Sequence, residues 1–136
     1  MFLLDTNVLS ELRRHDRANP RVAAWSAEVN PGDLFLSSIT ILEIELGALM
    51  LERRDHAQGA LLRKWIEERI LPTFNDRVLP VDLPVARQCA RLHVPNRRPE
   101  RDALIAATAI VHRLRIVTRN VADFEAMGVD VINPWD

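Results

Sequence analysis

Phe2-Leu3-Leu4-Asp5-Thr6-Asn7-Val8 opens the chain with a short apolar run cut off by a carboxylate. A run this short and this apolar reads as a strand buried on both faces, with Asp5 placed to cap a helix beginning near Thr6. Four further runs have the same form. Residues 34–36 follow the turn Pro31-Gly32-Asp33, residues 78–79 precede Pro80, and residues 116–117 and 129–132 complete five candidate strands. Helical patterns separate them. Ile41, Leu42, Leu46, Leu49 and Met50 share a face at helical spacing, as do Leu61, Leu62, Trp65, Ile66 and Ile70, in a helix that Pro72 is expected to close. Residues 85–92 and 103–114 are further helices, and residues 121–127 form a short one ending at Gly128. Short strands alternating with helices predict an α/β fold, a parallel sheet covered on both faces. Pro80 cannot donate to a strand ladder, so the third strand is expected to lie at an edge or to end there.

Composition agrees with one such domain over residues 1–136, with apolar residues at 48% and charged residues at 27%. No stretch approaches the roughly 20 apolar residues of a spanning helix. Only three apolar residues separate Met1 from Asp5, unlike a secretory signal, so a cytoplasmic location is expected. Cys89 is the single cysteine, which excludes an internal disulfide and a cysteine-based zinc knuckle. Eighteen basic against nineteen acidic residues leave a net charge of −1, which by itself indicates no acidic partner. Lys64 is the sole lysine, and the four glycines are too scattered for a phosphate-cradling loop. The tryptophan and leucine stripes read as core rather than as a cofactor platform.

The chemistry lies in acids that recur after strands, since open α/β sheets react outside the carboxyl ends of their strands. Asp5 ends the first strand, and Glu43 opens the helix after the second. Asp102 opens the helix leading into the fourth, and Asn120 and Asp123 follow that strand. Each has a structural reading. Thr40-x-x-Glu43 has the form of a capping box, Asn120-x-x-Asp123 of an N-cap with an acid behind it, and Asp102 complements a helix dipole. Together, however, converging carboxylates repel one another and take up protons unless a cation intervenes. Oxygen-only donors favour a hard ion such as Mg²⁺ or Mn²⁺. His15, His56, His93 and His112 lie on other segments and are expected at the surface, which argues against zinc.

Leu3-Leu4-Asp5-Thr6-Asn7-Val8, Ser37-Ser38-Ile39-Thr40-Ile41-Leu42-Glu43, Asp102-Ala103-Leu104-Ile105-Ala106-Ala107-Thr108-Ala109 and Thr118-Arg119-Asn120-Val121-Ala122-Asp123-Phe124, in that order, resemble the PIN-domain family. The closing Asn133-Pro134-Trp135 is similar to the VapC-type toxins within it, in particular the FitB-like branch. The resemblance implies a three-layer α/β/α domain with strand order 3-2-1-4-5. It implies a Mg²⁺-dependent endoribonuclease, the toxin of a type II pair with a VapB-like antitoxin, and a homodimer. Asp5, Glu43 and Asp102 match the family's three acids, and Asp123 supplies the fourth because Asn120 carries no charge. Asp5, Asp102 and Asp123 would be the metal ligands, with Thr6, Asn7, Thr118 and Asn120 in support. One departure is the stretch between Leu92 and Asp102, several residues shorter than in most relatives and rich in arginine.

On this reading water activated by the metal attacks the phosphodiester in line. Arg97, Arg98 and Arg101 are the candidate RNA contacts, with Arg13, Arg14, Arg17, Arg53 and Arg54 as further basic candidates. The few aromatics suggest no stacking platform of the kind single-strand binders use. Two competing readings exist. A phosphoryl-transfer domain, a receiver or a dehalogenase-like phosphatase, needs a lysine near a later strand end, whereas Lys64 sits on an amphipathic helix. A degenerate PIN scaffold that only binds RNA or a protein is opposed by the full acid set, and metal titration separates it from an enzyme.

Overall fold

The computed structural model describes residues 1–136. In chain order the main elements are β1 (Phe2–Leu4), α1 (Thr6–Leu12), α2 (Pro20–Glu28), β2 (Leu34–Ser37), α3 (Ser38–Arg54), α4 (His56–Trp65) and α5 (Leu71–Thr73). They continue with β3 (Val78–Leu79), α6 (Leu83–Leu92), α7 (Glu100–His112), β4 (Arg115–Val117), α8 (Val121–Glu125) and β5 (Val131–Ile132). The five strands form one sheet in the order β3-β2-β1-β4-β5, and every pairing is parallel. β3 therefore is an edge strand, where the missing N–H of Pro80 costs no central ladder bond.

Alternation along the strands sorts the core into two layers. Leu3 and Ile116 face one side, with Val85, Cys89, Ala103, Ile105 and Ala106 from α6 and α7. Leu4, Leu36 and Val117 face the other, with Val8, Ile44, Ala48, Ile66 and Ile70 from α1, α3 and the α4–α5 segment. One-residue steps along β1 and β4 thus supply both layers, as the period of two in a strand requires. Ala103, Ala106, Ala107 and Ala109 are fully buried, so α7 approaches the sheet closely and carries Asp102 to its carboxyl end. No helix is long and apolar enough to cross a membrane.

Two local expectations are corrected. α3 begins one turn earlier than a Thr40 cap requires: Ser37 Oγ accepts from Ile39 N–H at 3.0 Å, and Thr40 lies inside the helix, fully buried. Pro72 does not close its helix. The backbone widens over Ile66–Ile70 into a π turn, with Leu71 N–H donating to Ile66 O, and helix resumes through Thr73. A proline ring clashes with the carbonyl four residues before it, and a widened turn just upstream relieves that clash. A further helix, α2, was not expected, although Val22 and Trp25 stand three residues apart on one face of it. Its start rests on Asn19, whose Oδ1 accepts from Arg21 N–H and Val22 N–H, followed by Pro20 in the first turn.

The leucine stripe of α3, expected as core, is instead outward, while the α4 stripe packs inward except at Leu61. Leu42, Leu46, Leu49, Met50 and Leu61 are exposed, while Ile44, Ala48, Ile66 and Ile70 take the inward positions.

Candidate functional site

The carboxyl ends of β1, β2 and β4 open into a polar cleft of about 460 Å³. Asp5, Glu43, Asp102 and Asn120 line it, with Thr6, Asn7, Ser10, Glu11, Arg14, Arg119 and Trp135. Asp5 is held by its position. Its backbone N–H still pairs with Val117 O at 3.0 Å, as an extension of β1, while its Oδ1 accepts from Thr6 N–H at 2.9 Å as the N-cap of α1. Oδ2 accepts from the Thr118 hydroxyl at 2.7 Å and from the Asn7 amide at 3.3 Å. The same Asn7 amide reaches Thr118 Oγ1 at 3.2 Å, and Asn7 Oδ1 accepts from Arg119 N–H at 3.3 Å. Asn7 therefore ties the start of α1 to the end of β4. Thr6 adds the third element, since its hydroxyl donates to Glu43 Oε1 at 2.7 Å and fixes α3 against α1. That bond gives the Glu43 carboxylate to the cleft, so the backward reach of a capping box is absent.

Asp102 sits in the first turn of α7, as its dipole reading expects. None of the donors around Asp5 reaches it. Burial, followed by the charges of Asp5, Asp123 and Glu43, pushes its carboxyl above the ordinary aspartate range. Burial also raises Asp5, opposed by the Thr118 and Thr6 hydrogen bonds and assisted by Glu43. Asp102, raised by burial and three neighbouring acids, and Asp5, raised by burial and by Glu43, mark a place where a cation lowers the free energy. Asp123 itself is exposed on α8 and acts on Asp102 through charge, while Asn120 lines the cleft. Asn120 stands at the N-cap of α8 without a side-chain cap bond, and its N–H donates to Thr118 Oγ1 at 3.0 Å.

The arginines divide. Arg101 Nη1 stands 4.0 Å from Glu43 Oε2, at the rim of the cleft. Arg98 is turned away, donating through Nη2 to Ala126 O at 3.3 Å, and Arg97 is exposed in the loop before α7. Arg14 lines the cleft and pairs with Glu11 at 3.0 Å. Asn7, Ser10 and Glu11 follow helical spacing along α1, and Arg14 continues that spacing just beyond its end. His93 is half-buried rather than at the surface. Its Nδ1 accepts from Arg98 N–H at 3.1 Å, and its Nε2 lies 3.7 Å from both Cys89 Sγ and Glu100 Oε2. An aromatic ring does stand in the cleft, against expectation: Trp135 is the one apolar residue of its lining.

The parallel 3-2-1-4-5 sheet is a fold shared with known proteins. Residues 2–129 match the PIN domain, and the chain belongs to that family. It is similar to Toxin FitB of Neisseria gonorrhoeae (strain ATCC 700825 / FA 1090), 42% identical over 142 residues that cover 99% of each chain. It is also similar to VapC ribonuclease Y4jK of Sinorhizobium fredii (strain NBRC 101917 / NGR234), 38% identical over 146 residues, covering 100% of this chain and 99% of that one. Among solved structures, FitAB bound to an IR36 DNA fragment superposes with a TM-score of 0.90 at 38% identity, over 100% of this chain and 96% of the other.

Proposed function

We propose that this chain is the toxin of a toxin–antitoxin pair and cleaves RNA as a Mg²⁺-dependent endoribonuclease, with Mn²⁺ able to substitute. The observation that carries the reading is the gathering of Asp5, Glu43 and Asp102 in one open cleft, with Asp123 acting on Asp102 through its charge. The relatives named toxin and ribonuclease support it. An all-oxygen donor set with two destabilised carboxylates suits a hard divalent ion. Asp5, Asp102 and Asp123 would hold that ion, and Glu43 completes the acid set. When bound, Mg²⁺ makes water more acidic and offsets charge developing on the phosphoryl oxygens.

The rest is done by the chain. Thr118, Asn7 and the Thr6 N–H keep both Asp5 oxygens fixed, so the ligand is oriented before RNA arrives. Thr6 orients Glu43 through Oε1, which leaves Oε2 to take the proton of the attacking water. Arg101 and Arg14 at the rim supply positive charge for the flanking phosphates. In-line attack leaves a 5′-phosphate and a 3′-hydroxyl. Sequencing RNA ends after expressing the chain without its partner tests the reading. New 5′-phosphate ends, lost in excess chelator, are expected; intact RNA in the presence of Mg²⁺ would overturn it.

The two residues after β4 separate by experiment. Asp123→Ala is expected to weaken Mg²⁺ affinity and activity by about 10- to 100-fold, the usual scale for losing a partner of a metal site. Asn120→Ala is expected to lose less, because an amide brings no charge to the ion. The reverse order in a metal titration would make Asn120 the ligand and Asp123 a helix-start acid.

The outward leucines of α3 and α4 support a homodimer and a VapB-like antitoxin as partners. Contiguous exposed apolar surface of this kind marks association. Light scattering at tens of micromolar is expected to show a dimer, and Leu46→Asp to shift it toward monomer; a monomeric parent would refute the proposal. An antitoxin segment seated on other faces of the same hairpin would reach the acids with an arginine, whose planar fork can pair two carboxylate oxygens. Changing that arginine to alanine is expected to release RNA cleavage while the complex stays intact. Inhibition that survives the change would mean the antitoxin only blocks RNA access.

A further inference from the structure

Trp135 is the one apolar residue of the acid cleft, and the proposed hydrolysis does not use it. Its place is built with care by the local chain. Thr118 N–H donates to Ile132 O at 3.0 Å, carrying the sheet to its last pair, and the chain then turns at Asn133-Pro134-Trp135. Asn133 Oδ1 accepts from Trp135 N–H at 3.0 Å, an Asx turn that swings the indole back over the sheet end, and Asn133 O accepts from Asp136 N–H at 3.2 Å. Pro134 is buried beneath the turn. The indole packs by one part against the layer containing Leu4 and Val117, while the rest lines the cleft beside Asp5 and Asn120. Arg119 stands with its guanidinium carbon 5.3 Å from the ring centroid, and its own backbone is fixed by Asn7. The other two tryptophans are engaged elsewhere, Trp25 edge-on to Phe2 at 5.4 Å and Trp65 beneath Arg13 at 5.7 Å.

A half-buried indole, backed by a cation and set among carboxylates, is an odd choice for mere packing, since the cleft is otherwise polar. A flat apolar ring next to a phosphodiester site offers what a nucleobase needs, a stacking face that costs no hydrogen bonds and tolerates any base. We propose that Trp135, held by Arg119 and the Asn133 turn, stacks the nucleobase adjoining the scissile phosphate and so positions single-stranded RNA in the cleft. This rests on the nuclease reading for its substrate, but binding can be measured apart from cleavage.

The test uses the full chain carrying Asp102→Asn, so that RNA is not consumed, and two probes. One is an unstructured oligoadenylate decamer, and the other is the same strand with its central nucleotides lacking bases. Trp135→Ala is expected to weaken binding of the decamer by about tenfold, within the range found for losing one stacked base, and to leave the abasic strand unaffected. Trp135→Phe keeps a flat ring and is expected to retain most of the affinity. In the parent, indole fluorescence should fall on adding the decamer and not the abasic strand, and Trp135→Phe should lose that response; this arm needs no destabilising variant. Equal binding of both strands by all three proteins, or quenching unaffected by Trp135→Phe, would overturn the proposal. RNA binding that depends on Trp135, in a protein whose unsubstituted form cleaves no RNA, would uphold the stacking site and refute the nuclease reading alone.

Discussion

Asp102→Asn is expected to abolish RNA cleavage and to leave the metal-free protein more stable than its parent at neutral pH. The two effects have one cause. Asp102 has none of the hydrogen bonds that steady Asp5, and burial and three neighbouring acids raise its carboxyl above the ordinary value of 3.8. A carboxyl raised in the folded state favours folding only while it is protonated. Below the ordinary value folded and unfolded chains both hold the proton; as pH rises, the unfolded chain releases it first, and stability falls until the folded carboxyl has also ionised. The metal-free parent should therefore lose stability as pH rises above about 4. An amide in place of Asp102 removes that part of the slope and relieves the repulsion on Asp5. Mg²⁺ should raise the unfolding midpoint of the parent, because it binds only the folded cluster, and should scarcely move the variant.

Asp5→Asn is expected to be equally inactive without the stability gain. Its Oδ2 accepts from Thr118 and Asn7, and an amide nitrogen facing that hydroxyl forfeits bonds worth about 0.5–1.5 kcal/mol each. Urea unfolding in chelator across pH, beside RNA cleavage in Mg²⁺, checks both variants. Undiminished cleavage by either would sink the assignment of the acids. A parent whose metal-free stability does not fall toward neutrality would remove the repulsion argument.

The sheet and the convergence of its acids were legible because they rest on short-range rules. Leu3-Leu4-Asp5 is a strand and its stop, and parallel order follows once every strand is separated from the next by helix. What the sequence hid depends on contacts across the chain. Thr40 and Ser37 are both acceptable caps, and only the Ser37 bond from Ile39 N–H, with Glu43 drawn away to Thr6, shows which turn begins α3. Pro72 reads as a stop because the rule assumes a regular helix, whereas the π turn over Ile66–Ile70 rearranges the carbonyls it would strike. His93 is expected at the surface and Arg98 as an RNA contact, yet each finds its partner within the loop or on the turn after α8. Trp135 was legible as part of a motif but not as part of the cleft, because its position follows from an Asx turn and a cation beyond β4.

Gly59→Ala and Gly47→Ala, the same change on the two arms of one helical hairpin, are expected to have opposite signs. α3 and α4 meet at Asp55, which ends one helix and caps the other through its bond from Gln58 N–H at 3.2 Å. With a single residue between them the helices must pass closely, and Gly59 is where they do. A Cβ there would come within 2.5 Å of the Cα and backbone nitrogen of Glu52, atoms that cannot rotate away. Arg63 Nε, bonded to Glu52 Oε1 at 2.7 Å one turn further on, depends on the same approach. Overpacking costs about 1–3 kcal/mol where side chains can adjust, and a backbone clash belongs at or above the upper end. Alanine returns only about 1 kcal/mol in helix propensity, which leaves Gly59→Ala destabilised by about 2 kcal/mol. Gly47 has nothing within 4 Å of its would-be Cβ and lies exposed in the middle of α3. There the propensity gain stands alone, and Gly47→Ala should be stabilised by about 0.5–1 kcal/mol. Denaturant midpoints for the two variants decide the matter, with RNA cleavage measured below both. Cleavage should survive in folded Gly59→Ala, because Glu43 is anchored about two and a half turns away from Glu52 by Thr6 rather than by α4. If Gly59→Ala is as stable as the parent, the hairpin can open without loss, and the outward leucines of α3 and α4 do not form one continuous surface for a second copy or an antitoxin.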